Sequence, residues 1–283
     1  MTWIHYALIS LFVFSGYDLL SRYLATRSAN PRAFSAIYNG LVALMSPALF
    51  LIDSVRPSNL TFWNIALAIV GVVVWGLFAR FEFYAHTNVK ASTLTIVLKL
   101  APFLNFVLAI LLLREPLTVS KIIGLGLIVI ANAILFLNQQ RKTIISDTGL
   151  KYAIIVAILL AVAWLLDSIN VKSWGIATYG LISYLGGAII CGLFPQITLD
   201  QIKQEFRLTP FWHILTLSIT NLVGYSSMLK ALSIGPASNV MPVVTATPAL
   251  VVLFGFLFLG EKDHLARKSL ATICILVAIY FLR

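Results

Sequence analysis

The sequence predicts an all-α integral membrane protein whose ten transmembrane helices form two inverted five-helix repeats around a central cavity. Three observations support this fold class. Hydrophobic residues make up 60% of the 283 residues and charged residues 11%, whereas a soluble domain of this size carries about 25% charged residues. Apolar stretches of nearly twenty residues recur along the chain, and each is long enough to cross a hydrocarbon core of ~30 Å as a helix. The second half of the chain also repeats the first.

Ten apolar stretches are predicted to be membrane spans. They are helical rather than barrel strands, because none shows alternating polarity. The predicted spans cover residues 3–24, 33–52, 60–84, 91–113, 118–138, 150–171, 176–194, 210–230, 236–259 and 265–282. The longest polar connections are 138–149 and 195–209. The first repeat therefore comprises residues 1–138, the connecting loop 139–149, and the second repeat 150–283.

A shift of 146 residues aligns the two halves. It places Ala85 on Ala231, Ala91 on Ala237, Ser92 on Ser238, Pro102 on Pro248, Glu115 on Glu261 and Tyr38 on Tyr184. A shift of 149 in the first helix brings Asp18 onto Asp167. Because five spans is an odd number, the second repeat must enter the membrane in the opposite orientation. Inverted repeats place a substrate site near the midplane between the halves.

The basic residues indicate contact with lipid rather than with nucleic acid. The net charge is +10, but the Lys and Arg residues are spread over short loops and helix ends without a long basic run. Thirteen lie in the odd-numbered connections and six in the even-numbered ones and the C-terminus. The positive-inside rule then places both termini outside the cytoplasm. Cys191 and Cys274 lie in apolar spans and are interpreted as packing residues, so we expect neither a metal nor a cofactor.

Lys99 is the most informative polar position. It lies in the middle of the fourth span, three residues before Pro102, and its repeat partner is the neutral Thr245. A charge at that depth costs roughly 2.5–3.5 kcal/mol on insertion scales, so it normally faces the protein interior and is paired. We predict that Lys99 contacts a carboxylate or phosphate of a substrate. The alternative is an ion pair with Asp18, Asp167 or Glu82.

Polar and aromatic residues deep in other spans are further candidates for the cavity wall, because such groups bind ring systems and polar edges. The predicted substrate-binding residues are Lys99, Thr95, Trp75, Tyr38, Tyr184, Asn221, Tyr225 and Thr245. Thr95 lies one turn from Lys99, and Trp75 is the repeat partner of Asn221. Pro102 and Pro248 are predicted to kink their helices and to free carbonyl groups toward the cavity.

Carboxylates near helix ends are candidates for gating or ion coupling. Asp18 and Asp167 would lie near opposite membrane faces, where alternating gates need polar latches; local pairing, as of Asp18 with Arg22, is the alternative. Glu82 has His86 at i+4, a pair able to relay a proton, although placement at the interface also explains it. Glu115 and Glu261 are interpreted as structural residues, each of which stabilises the N-terminus of the helix that follows it.

The segments after each third helix resemble the EamA-type domain of the drug/metabolite transporter superfamily. They read Tyr84-Ala85, Ala91-Ser92, Ala101-Pro102 and Leu113-Arg114-Glu115 in the first half. In the second half they read Lys230-Ala231, Ala237-Ser238, Thr247-Pro248 and Leu259-Gly260-Glu261. The domain occurs twice, and the two copies together cover nearly the whole chain. The resemblance implies a central cavity, alternating access by rocking of the halves, and cytosolic termini in eukaryotic relatives, which conflicts with the charge distribution.

The resemblance implies a carrier but leaves its cargo open. We interpret the chain as a secondary transporter of an amino-acid-like solute or another carboxylate- or phosphate-bearing metabolite. The alternative is an exchanger of nucleotide-type or phosphorylated metabolites, which would be expected to use Arg forks. An enzyme lacks support, since neither an Asp-rich motif nor nucleophile–base spacing occurs; a channel or scramblase is a third alternative. We expect a monomeric, multi-pass protein of a bacterial inner membrane.

Overall fold

A computed structural model describes residues 1–25, 28–51, 53, 57, 60–88, 97–136, 147–193, 197–247, 250 and 265–283, and every regular element in these residues is a helix. The first half contains α1 (Trp3–Ala25), α2 (Pro31–Met45), a 3-10 helix (Ser46–Leu51), α3 (Phe62–Asn88), α4 (Leu100–Leu112) and α5 (Val119–Phe136). The second half contains α6 (Asp147–Trp174), α7 (Ile176–Leu193), α8 (Leu199–Leu208), α9 (Phe211–Ile234), α10 (Ala237–Val244) and α11 (Leu265–Leu282).

Helices occupy the described parts of all ten predicted spans. By length and composition, three of the helices within the described residues can cross a membrane: Arg32–Leu51, Phe62–Glu82 and Leu150–Trp174. Four further apolar helices are shorter, namely Leu100–Leu112, Val119–Ile134, Ile176–Gly192 and Ser269–Leu282. The helical nature of the chain is therefore confirmed, whereas the count of ten spans stays a prediction.

Two boundaries differ from those predicted. The connection 195–209 contains the ten-residue helix α8. Thr198 and Gln201 form a reciprocal capping box at its start, which satisfies two free N–H groups of the first turn. This helix is too polar and short for a hydropathy window to detect. In addition, α6 begins at Asp147, inside the predicted loop 139–149, where an acidic residue favours a helix N-terminus.

The packing of the helices follows the internal repeat. Helix α3 packs against α6 and α7, and its counterpart α9 packs against α1 and α2. Helices α5 and α11 pack against each other, and both ends of α11 lie 146 residues after the ends of α5. The main contacts of α3 with the second half therefore have counterparts in the contacts of α9 with the first half.

The surface carries many exposed apolar side chains, as expected for a protein surrounded by lipid. Large hydrophobic residues are exposed on α3, α4, α5 and α11, and examples include Trp63, Ile69, Leu111, Ile122 and Leu276. Small residues allow close packing inside: a Cβ at Gly124 would lie 2.6 Å from the Leu282 side chain. Helices α5 and α11 consequently approach each other closely at this point.

Candidate functional site

Asp167 lies at the centre of a buried polar and aromatic group. Its side chain is fully buried on α6. Its Oδ1 atom accepts hydrogen bonds from Trp75 Nε1 at 2.9 Å and from Tyr179 Oη at 2.7 Å. Its Oδ2 atom has no hydrogen-bond partner within the described residues. In the part of the chain that the structure describes, both donors to this carboxylate are therefore neutral.

Aromatic rings continue this arrangement from α3 to α9. The rings of Trp75 and Tyr225 meet edge to face with centroids 5.7 Å apart, and those of Tyr184 and Tyr225 are 5.3 Å apart. The Tyr184 hydroxyl donates to Asn221 Oδ1 at 2.5 Å. We call this group the Asp167 cluster; it comprises Trp75, Asp167, Tyr179, Tyr184, Asn221 and Tyr225. It joins four predicted substrate-binding residues to a predicted gating residue.

The close approach of α3 to α6 and α7 makes the Asp167 cluster possible. Gly71 lies one turn before Trp75, and a Cβ there would be 2.8 Å from the Tyr179 hydroxyl and 3.1 Å from Asn170 Nδ2. Asn170 in turn donates to the backbone carbonyl of Leu67 at 3.1 Å. A glycine at position 71 thus leaves room for the hydroxyl that holds the Asp167 carboxylate.

Tyr38, another predicted cavity residue, lies beside the cluster. Tyr17, which was not among the predicted residues, connects the two. The ring of Tyr17 is 6.1 Å from that of Tyr38, and the Tyr17 hydroxyl lies close to Asn221. Tyr17 went unrecognised because α1 contains five other aromatic residues, and Tyr179 because its repeat partner is Ala33. Tyr179 and Ser183 are four residues apart, so the polar stripe that they form on α7 was the available signal.

Lys99 lies at an interruption of the fourth span. Val97 and Leu98 are helical, Lys99 forms a turn, and α4 begins at Leu100. Pro102 is the third residue of α4, where its missing N–H group costs no helical hydrogen bond. The helix is thus interrupted three residues before the predicted kink, although the backbone of Lys99 (φ −71°, ψ −8°) stays in the right-handed helical region. Such discontinuous helices commonly form binding sites in transporters.

Thr245 occupies the same kind of turn in the second half, directly after α10. Lys99 Nζ donates to the Thr245 backbone carbonyl at 3.2 Å. The carbonyl belongs to the C-terminal end of a helix, where a positive charge is favourable. Lys99 and Thr245 are repeat partners 146 residues apart, so their contact joins equivalent positions of the two halves.

The Lys99 turn and the Asp167 cluster are separate polar centres. Val97 and Leu98 pack with Ala153, Val156 and Ala157 on α6. Asp167 lies ten residues beyond Ala157, which corresponds to about 15 Å along a helix. Asp167 is bonded to Trp75 and Tyr179, so the structure does not support the predicted alternative of a Lys99–Asp167 ion pair.

The structure gives less detail for several other predicted site residues. Thr95, Pro248 and Glu261, and the side chains of Arg22 and His86, lie outside the described residues. Asp18 on α1 and Glu82 on α3 are partly buried, and both interact with other groups. Among the described residues, no group of three or more His, Cys, Asp and Glu side chains is arranged to hold a metal ion.

Glu115 has a different partner from the predicted one. Its carboxylate does not cap α5, which follows it, but accepts from the backbone N–H groups of Ala237 at 2.7 Å and Ser238 at 3.1 Å. These groups form the first turn of α10 in the other half. Lys121 Nζ lies 3.6 Å from the carboxylate and donates to Ser238 Oγ at 2.7 Å. Arg114, with a left-handed φ of 54°, precedes Glu115 in this turn.

Two other carboxylates join the halves in the same way. Asp53, after the 3-10 helix, accepts from the backbone N–H of Ile176 at the start of α7 at 2.7 Å. Glu205 on α8 accepts from the backbone N–H of Asn30 at 2.5 Å, and from Ser28 Oγ at 3.0 Å, at the start of α2. Helices α2 and α7 are repeat counterparts. The two contacts are therefore related by the internal symmetry.

A helical membrane protein with two related halves and a buried polar cluster between them has the architecture of a solute transporter. The model of the EamA-like transporter family matches residues 1–137 and again residues 147–283. The chain belongs to this family, within the drug/metabolite transporter superfamily.

Two individual proteins illustrate this relationship. An "Uncharacterized transporter" of Haemophilus influenzae (strain ATCC 51907 / DSM 11121 / KW20 / Rd) is 24% identical over 196 residues, which make up 66% of this chain. The match spans 61% of that relative's length. A protein crystal structure superposes with a TM-score of 0.76 at 14% identity, and the match covers 98% of this chain and 94% of the other. The second comparison supports the fold alone.

Proposed function

We propose that this protein is a secondary transporter that moves a small amino-acid-like solute by alternating access. The observation that carries the proposal is the pair of helix breaks at Lys99 and Thr245, which brings a positive charge to the boundary between the halves. A single ammonium group suits one carboxylate or phosphate group. A nucleotide diphosphate would favour several cations and Arg forks, and neither polar centre has an arginine among its described contacts.

The proposed topology has ten spans in two inverted repeats, in a bacterial inner membrane. Five spans in each half force the second half to enter with the opposite orientation. The symmetric helix packing and the 146-residue spacing of α5 and α11 support this topology. In it, the first residues of α2 and α7 lie at opposite membrane faces. The gating roles predicted for Asp18, Asp167 and Glu82 remain part of the proposal.

The substrate class is testable by thermal stabilisation. A ligand that binds the folded state raises its stability by about 2.7 kcal/mol at 100 times its dissociation constant. We expect amino-acid-like solutes in a metabolite panel to raise the melting temperature of the purified protein, with nucleotides giving no shift. A panel in which only nucleotide-type compounds stabilise the protein would favour the phosphorylated-metabolite exchanger instead.

The contacts of Asp53 and Glu205 provide two gates on opposite faces. We predict that Asp53→Asn weakens the contact to α7 and opens the protein toward one side, whereas Glu205→Gln weakens the contact to α2 and opens it toward the other. A cysteine at Asn221, in a variant without Cys191 and Cys274, would report access of a membrane-impermeant thiol reagent from each side. Asp200→Asn, at an exposed carboxylate of α8, is the control. Equal changes from both sides in the two variants would contradict this gating scheme.

A further inference from the structure

Three buried polar atoms in or beside the Asp167 cluster have no hydrogen-bond partner among the described residues. They are Asp167 Oδ2, Tyr225 Oη and Ser183 Oγ. Their side chains are 0%, 6% and 5% exposed, respectively. Tyr225 Oη lies close to both Ser183 Oγ and the Asp167 carboxylate, but within the described residues neither approach has the geometry of a hydrogen bond. Buried polar atoms normally have hydrogen-bond partners, so three unpaired atoms in one place indicate a site for a polar ligand.

The chemistry of these atoms selects the ligand group. A buried carboxylate is costly unless a positive charge or several donors balance it. Among the described residues the Asp167 carboxylate receives only the two neutral donors Trp75 and Tyr179. A protonated amine offers three N–H donors and no acceptor. It matches one carboxylate oxygen and two hydroxyl oxygens, and the neighbouring rings of Trp75, Tyr184 and Tyr225 also favour a cation.

We propose that Asp167, Tyr225 and Ser183 bind the protonated amino group of the transported solute, an assignment that rests on the proposed transport function. The location agrees with this role, because Trp75 comes from the first repeat and the other members of the cluster from the second. A solute bound here contacts both halves. Rocking of the halves would then change its exposure from one side of the membrane to the other.

The distance between the two polar centres restricts the shape of the solute. Val97 and Leu98, the two residues before Lys99, pack against α6 near Ala157, and Asp167 lies ten residues further along that helix, about 15 Å. In an α-amino acid only two bonds separate the ammonium nitrogen from the carboxylate carbon. A solute that contacts both centres therefore carries its amine and its anionic group at opposite ends of an extended chain.

The test compares two probes that differ only in the amine. We expect wild-type protein to bind 6-aminohexanoate at least tenfold more tightly than 6-hydroxyhexanoate, as measured by isothermal titration calorimetry in detergent. Asp167→Asn should bind both with equal affinity. Tyr225→Phe should keep a melting temperature near that of wild type, because its hydroxyl has no hydrogen-bond partner among the described residues, and it should lower the preference several-fold. Asp200→Asn, which changes an exposed carboxylate, should keep the full preference.

Equal binding of the two probes by wild type, or the absence of binding by either, would overturn the assignment. If Asp167→Asn folds and still prefers 6-aminohexanoate as wild type does, the assignment is wrong. If Asp167→Asn does not fold, an unchanged preference in Tyr225→Phe has the same meaning. Transport assays separate this assignment from the proposed function. Saturable transport of solutes without an amine would refute the amine site and leave the carrier, whereas amine-selective binding without transport would refute the carrier and leave the site.

Discussion

Glu115→Ala is expected to destabilise the protein by about 3–5 kcal/mol, the usual cost of the loss of one partner from a buried ion pair. Glu115 and Lys121 have only 11% and 8% of their side chains exposed. The substitution leaves the Lys121 ammonium without its carboxylate and removes the acceptor for two N–H groups at the start of α10. Because α10 belongs to the other half, the effect should extend to the packing between the repeats. Thermal unfolding of the purified protein measures it.

Two variants separate the contributions. Glu115→Gln keeps an acceptor for the α10 N–H groups and should lie between wild type and Glu115→Ala. In the double variant Glu115→Gln/Lys121→Met, no buried charge is left unpaired, so much of the lost stability should return. If Glu115→Ala unfolds within about 1 kcal/mol of wild type, a stabilising role of this link between the halves is wrong, since surface changes have effects of that size.

Lys99→Met is expected to lower the transport efficiency for an anionic solute at least a hundredfold, equivalent to about 2.7 kcal/mol of binding energy. The melting temperature should stay near that of wild type. Methionine replaces the ammonium by an apolar group of similar length, and the hydrogen bond lost to the Thr245 carbonyl is worth about 1 kcal/mol. Uptake into proteoliposomes and thermal unfolding of the same preparation provide both quantities.

Lys151→Met is the matched control, because it removes an exposed lysine at the start of α6. This substitution should leave the transport efficiency and the melting temperature unchanged. Wild-type transport by stable Lys99→Met protein would exclude the proposed contact with substrate. A loss of about 3–5 kcal/mol would instead indicate that Lys99 neutralises Asp18 or Glu82, because an unpaired buried carboxylate would remain.

Hydropathy predicted the helices well because burial in lipid and burial in protein both require apolar residues. The internal repeat paired Lys99 with Thr245, and both form turns, whereas the predicted feature was a kink at Pro102 and at Pro248, which lies outside the described residues. Helix α8 was missed for the complementary reason. Its capping box and amphipathic pattern stabilise a short helix that carries no signal for a membrane span.

Side-chain contacts between helices that are distant in the chain could not be predicted from the sequence. Glu115 was correctly interpreted as a structural carboxylate, but nothing in its neighbours indicates that it binds α10 rather than α5. Likewise, Asp167, Trp75 and Tyr225 were separate candidates until the packing of α3 and α9 against α6 brought them together. Hydrophobic periodicity specifies which face of a helix is buried, but it does not specify which helix covers that face.

Counterflow in proteoliposomes tests the central claim, alternating access by a solute carrier, most directly. Vesicles containing the purified protein are loaded with the solute that gives the largest thermal stabilisation and diluted into a trace of its radiolabelled form. The account predicts a transient accumulation of label above its equilibrium level and saturation of the initial rate with solute concentration. Entry of label that rises linearly with concentration and reaches equilibrium without an overshoot would contradict it and indicate a channel.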